Sequence, residues 1–96
     1  MAEYHLTAPA QQDLEEIYRD LYLKASPETA ARVEERLFLA FEELVRLPAI
    51  GHRRFDVKQE GYRFHLVFDY VIAFRREPTV IILRVIHGAQ NIARIF

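Results

Sequence analysis

Ninety-six residues, 51% of them apolar and with seven Phe and five Tyr among them, suffice for one packed domain over residues 1–96 and exclude a disordered chain. The absence of cysteine excludes disulfides and thiolate metal sites. The net charge of −1 conceals an imbalance: residues 1–50 carry ten acids against five bases, and residues 51–96 carry eight bases against four acids. An anionic partner therefore has a preferred side, unless folding intermixes the two halves.

The opening MAEYHLTAP has neither the basic start nor the apolar stretch of a signal peptide. No apolar run approaches the ~20 residues of a membrane span. A cytoplasmic protein with no membrane partner is the expectation.

Residues 3–7 read as a short strand with Tyr4 and Leu6 on one face. Thr7-Ala8-Pro9 then has the form of a helix start, a capping hydroxyl followed by proline in the first turn. Leu14, Ile17, Tyr18 and Leu21 follow at spacings of three and four and make an apolar stripe. Asp13, Glu15 and Glu16 sit near the helix start, where the dipole favours acids. Ser26-Pro27-Glu28 opens a second helix, and its stripe is Ala30, Val33, Leu37, Phe41 and Leu44, widened by Phe38 and Val45. Leu47-Pro48 ends it. The short connection between the helices predicts an antiparallel hairpin.

The remainder is strand-like. Arg53, Phe55 and Val57 alternate briefly. Tyr62, Phe64, Leu66 and Phe68 alternate with Arg63, His65 and Val67 at a period of two. Residues 70–74 form a second run, Glu77-Pro78 a turn, and residues 79–86 a third run rich in β-branched side chains. The last two runs are apolar on both faces, which predicts central strands covered on both sides. The fold class is therefore α+β: an N-terminal strand, an antiparallel two-helix hairpin, then a three- to four-stranded, mainly antiparallel sheet with both helices on one face.

The stretches YHLTAPAQQDLEEIYRDL, LPAIGHRR, GYRFHLVFDYVIAFRR and ILRVIHGAQNIARIF occur in this order over almost the whole chain. Together they resemble the RelE/ParE superfamily, the toxins of bacterial type II toxin–antitoxin modules, also called plasmid-stabilisation proteins. The resemblance implies a cognate antitoxin as partner. It also implies one of two activities. RelE-type members resemble ribonucleases that cut messenger RNA in the ribosome, whereas ParE-type members bind and poison DNA gyrase. A third possibility is a toxin fold without activity that serves as partner and co-repressor of its antitoxin.

Cleavage of RNA by its own 2′-hydroxyl needs a base, an acid and a cation. Ribonuclease members often carry an arginine in the central strand and a Tyr or His-Tyr near the end. Here Tyr70 stands where the arginine would be, Gly88 follows His87, and no tyrosine comes after Tyr70. A reduced set remains: Glu60 as base, Arg63 as phosphate clamp, His87 as acid. The plain alternative puts Glu60 in a solvated turn, Arg63 on an outward strand position and His87 at a strand end. The HGA context is similar to the ending of ParE-like members, so the ParE-type reading comes first and a non-enzymatic inhibitor is expected. The lone serine, Ser26, is taken by the helix cap. No phosphate loop or zinc spacing is present, and no cofactor, metal or small-molecule ligand is expected.

Arg53, Arg54, Lys58 and Arg63 form a candidate basic strip for an acidic antitoxin segment, an acidic patch on gyrase or RNA phosphates. Phe38, Val45, Phe55, Ile92, Ile95 and Phe96 are candidate apolar contacts, with Arg94 beside the last three. Gly88 suits a tight, positive-φ exit from the final strand. Residues 92–96 have the spacing of a single helical turn, too short to hold itself together, so they order only by packing on the sheet or on a partner.

Overall fold

A computed structural model describes residues 3–96. The elements run β1 (Tyr4–Leu6), α1 (Ala8–Lys24), α2 (Pro27–Arg46), β2 (Arg63–Val67), β3 (Tyr70–Arg75), β4 (Val80–His87) and α3 (Ile92–Ile95). The strands form one sheet in the order β1-β4-β3-β2. β1 pairs parallel with β4, and β4, β3 and β2 pair antiparallel.

Both helix starts are built as their sequences indicate. Thr7 Oγ1 accepts from the Ala10 N–H at 3.2 Å and donates to the Leu83 carbonyl at 2.8 Å, so one hydroxyl caps α1 and ties it to β4. Ser26 Oγ accepts from the Thr29 N–H at 3.0 Å. The other end of α2 is closed from a distance. Arg76 donates to the carbonyls of Leu44 (2.6 Å), Leu47 (3.2 Å) and Ile50 (2.7 Å), placing a cation at the negative pole of the helix.

The two faces of the sheet carry separate cores. Ala10, Leu14, Leu37, Ala40, Phe41 and Leu44 of the helices pack on Val67, Ile72, Phe74, Ile82 and Val85. On the opposite face Val57, Phe64, Val71, Ala73, Ile86 and Ile92 form the second core, bordered by Tyr62, Leu83, Ile95 and Phe96. The central strands β3 and β4 are thus covered twice, by the helical hairpin and by the chain's own C-terminal turn.

Three expectations are corrected. The alternation at Arg53, Phe55 and Val57 does not make a strand. Its surroundings form turns and an isolated bridge, in which His52 and Phe64 exchange two 2.9 Å hydrogen bonds. Phe55 is fully exposed while Val57 is buried, so the two do not share a packed face. Asp13 is not a solvated dipole partner. It lies beyond the first turn, 8% exposed, and pairs with Arg84. Gly88 has no positive φ. Its N–H donates to Asp69 O at 2.7 Å, and a Cβ there would stand 3.1 Å from that oxygen, so close backbone approach is what requires glycine. Among the described residues the positive-φ positions are Gly51 (φ 105°), where a Cβ would lie 2.6 Å from the Phe74 ring, and Phe68 (φ 53°).

Candidate functional site

His87 closes β4 in direct register with Tyr70 of β3, and their rings meet edge-on with centroids 5.6 Å apart. The imidazole is drawn into the turn that follows. Nδ1 accepts from the Ala89 N–H at 3.1 Å, and the His87 N–H donates to Gln90 Oε1 at 3.2 Å. Burial first, then the carboxylates of Asp69 and Asp20, raise the Tyr70 phenol above its ordinary value, so it is a neutral hydroxyl. Beside this pair a depression of about 430 Å3 is lined by Leu66, Phe68, Asp69, His87, Gly88 and Ala89. Leu66 is 60% and Phe68 57% exposed, which makes the rim apolar.

The reduced ribonuclease set does not converge. Arg63 begins β2, whereas His87 is level with Tyr70 and hence with Val67, at the other end of that strand. The two positions are roughly 13 Å apart along the strand and about 10 Å apart across it. Glu60 is exposed in the turn before Gly61, and what it offers Arg63 is its backbone carbonyl, at 3.0 Å from Nη1, not its carboxylate. In this arrangement the base, the acid and the phosphate clamp do not meet at one point.

The basic strip divides. Arg54 is committed to Asp56 through two hydrogen bonds of 3.0 and 2.8 Å and lies over the Phe64 ring at 5.9 Å. Arg53 and Arg54 border a recess of about 390 Å3 with Phe55 and Val57, and Lys58 is exposed next to it. Arg63 belongs to a different recess, with Arg75 and Arg76.

Most of the apolar candidates have partners inside the chain. Phe38 packs edge-on against Phe41 at 5.5 Å, and Val45 borders the same core. Ile92 is 3% exposed, and Phe96 meets the rings of Tyr62 and Phe64 at 5.4 and 5.8 Å. Ile95 is half-buried at this edge and Arg94 points to solvent. The large apolar side chains left outside include Leu23, Phe55, Leu66 and Phe68. Leu66 and Phe68 share the alternating pattern of the buried Phe64, so nothing local in the sequence marks them as exposed. Leu66 lies near the end of the edge strand β2, and Phe68 lies in the turn that follows it. Among the described residues no group of three or more His, Asp or Glu is gathered as for a metal ion, and no helix is long and apolar enough to cross a membrane.

Comparison with known proteins agrees with this architecture. The family described as "ParE toxin of type II toxin-antitoxin system, parDE" matches residues 4–92. Toxin ParE3 of Caulobacter vibrioides is 28% identical over 88 residues, which cover 91% of this chain and 87% of that protein. A solved structure titled as the chromosomal ParDE system from P. aeruginosa superposes with a TM-score of 0.75 at 21% identity, covering 91% of this chain and 96% of the other. The toxin–antitoxin complex RelBE2 from Mycobacterium tuberculosis gives a TM-score of 0.59 at 26% identity, over 90% of this chain and 96% of the other.

Proposed function

This chain belongs to the family of ParE toxins of type II toxin–antitoxin systems, and from that premise we propose that a cognate antitoxin holds it inactive and that, once released, it inhibits growth by binding and poisoning DNA gyrase. The observation that carries the reading is the family match over residues 4–92, nearly the full chain. The site geometry supports it: an apolar-rimmed depression at Leu66, Phe68 and His87 offers contact area, while the candidate acid, base and cation stand apart. Contact is assigned to that rim, to Phe55 with Arg53 and Lys58 on the 47–62 connection, and to the exposed parts of Phe38, Val45, Ile95 and Phe96.

The test is induction of the chain without its antitoxin, with DNA breakage and messenger cleavage measured separately. Gyrase-linked breaks are expected before translation falls. Cleavage within codons that disappears in His87→Ala would replace this reading with the ribosome-dependent ribonuclease. A chain that binds the product of a neighbouring reading frame but leaves growth untouched would instead be the inactive partner and co-repressor.

A further inference from the structure

Arg63, Arg75 and Arg76 converge on a recess of about 320 Å3 at the open end of the β2–β3 pair, lined also by Gly61 and Glu77. Phe74, which is in register with Arg63, belongs to the helix-side core, so the recess lies at the end of the sheet remote from His87. Two of the three guanidiniums are held in place by backbone carbonyls. Arg63 Nη1 donates to Glu60 O and Tyr62 O at 3.0 and 3.1 Å. Arg76 is fixed by its three bonds to the end of α2 and rests over the Phe74 ring at 5.1 Å.

None of the three takes part in an ion pair among the described residues, although Glu77 borders the same recess. Burial, and secondarily the charge of Arg63, lower the Arg76 guanidinium from its ordinary value. The end of α2 offsets part of the Arg76 charge, whereas the turn carbonyls that orient Arg63 carry no net charge and Arg75 makes no ion pair.

We propose that this recess is a carboxylate-binding site that receives an acidic side chain from a peptide segment of a protein partner. Fixed guanidiniums pay little of the ordering entropy that a free lysine would, and their forked donors match a planar carboxylate. A nucleic-acid strand suits the surroundings less well. It needs cations along a continuous track, and here the nearest part of the basic strip is interrupted where Asp56 occupies Arg54. The chain as a whole is also net negative. The inference needs only a protein partner and stands whether or not gyrase is the target.

The test is a titration of the full chain with a hexaglutamate peptide, following the arginine Nε–H resonances by NMR. Hexaglutamine, hexathymidylate and inorganic phosphate serve as parallel probes. Saturable shifts at Arg63 and Arg75 with hexaglutamate alone are expected. Arg75→Gln, which removes an exposed side chain and no internal hydrogen bond, should weaken the binding about tenfold, with an unchanged melting temperature as the check on folding. Tighter binding of hexathymidylate would overturn the proposal in favour of a nucleic-acid site. Equal binding of phosphate would make the recess a small-oxyanion site, and an undiminished response in Arg63→Gln/Arg75→Gln would show charge attraction without a site. Either result also overturns it.

Discussion

Asp13 on α1 and Arg84 on β4 are joined by a two-pronged ion pair, Nε to Oδ2 at 2.7 Å and Nη2 to Oδ1 at 2.9 Å, and the same Oδ2 accepts from the Val85 N–H at 2.9 Å. One carboxylate therefore stitches the first helix to the central strand 71 positions away. Its side chain is 9% exposed and that of Arg84 33%, so the acid has been taken out of water while the base is partly hydrated.

Removing the carboxylate leaves a buried N–H without an acceptor and a cation without its partner. Asp13→Ala is expected to cost about 2–4 kcal/mol, less than for a fully buried pair because Arg84 reaches solvent. In a domain of this size that lowers the melting temperature by roughly 10 °C or more. Asp13→Asn, which keeps an acceptor for Val85, should fall between wild type and Asp13→Ala. Equal melting temperatures for the two variants would mean that the Val85 bond contributes nothing.

The turn from β2 to β3 stores strain. Phe68 occupies φ 53°, a left-handed conformation that a bulky residue rarely takes, and its ring is more than half exposed. Phe68→Gly is expected to stabilise the free chain by about 1 kcal/mol, since the lost ring packs on little and the backbone strain is relieved. The same change strips apolar area from the rim beside His87. Melting temperature should therefore rise while growth inhibition falls. A variant that is both more stable and fully toxic would remove Phe68 from the contact surface.

His65, on the helix-facing side of β2, gives the fold a pH dependence. Burial lowers its pKa below the ordinary 6.5, Glu43 opposes the shift, and Arg36 and His52 reinforce it. The folded chain thus resists a proton that the unfolded chain accepts. The stability this contributes is present above pH 6.5 and is lost as the pH falls through the lower folded value. His65→Gln should flatten the decline in melting temperature between about pH 7.5 and 5.5. Parallel curves for wild type and variant would assign the slope to other groups.

What the sequence revealed and what it concealed divide along the range of the interactions. The helices declared themselves through Thr7, Ser26 and their apolar stripes, because caps and periodicity are local. The central strands β3 and β4 did so through apolar residues on both faces. Asp13 is in phase with Ala10, Leu14 and Ile17 on the buried side of α1, and that phase was the available signal of its burial. Its proximity to the helix start pointed to the dipole instead, and nothing local revealed Arg84. Arg76 at the end of α2 was concealed for the same reason. The recess of three arginines is assembled by strand register, and register joins Arg63 to Phe74 only once the turn at Phe68 is known. The candidate strip read Arg63 together with Arg53 and Arg54 because they are near in sequence.

The C-terminal stretch allows a separation of contact from chemistry. Ile92 is packed into the second core, and Phe96 closes over Phe64 and Tyr62, so residues 92–96 share with Val57 and Tyr62 the covering of this sheet face. Ile92→Ala should cost about 2–4 kcal/mol, the penalty of a cavity in a small core. Deletion of residues 92–96 should cost more and lower both antitoxin affinity and growth inhibition through loss of fold. Phe96→Ala, at the half-buried edge, should weaken binding with a smaller loss of stability. His87 behaves differently. It is exposed, and its imidazole serves the turn by accepting the Ala89 N–H. His87→Gln keeps a polar side chain of similar overall reach, but it cannot exchange protons near neutral pH. Growth inhibition on induction, corrected for the amount of each variant, should therefore survive His87→Gln and fail in the deletion. A non-toxic His87→Gln with an unchanged melting temperature would assign the histidine a chemical task and put the ribonuclease reading ahead of the gyrase one.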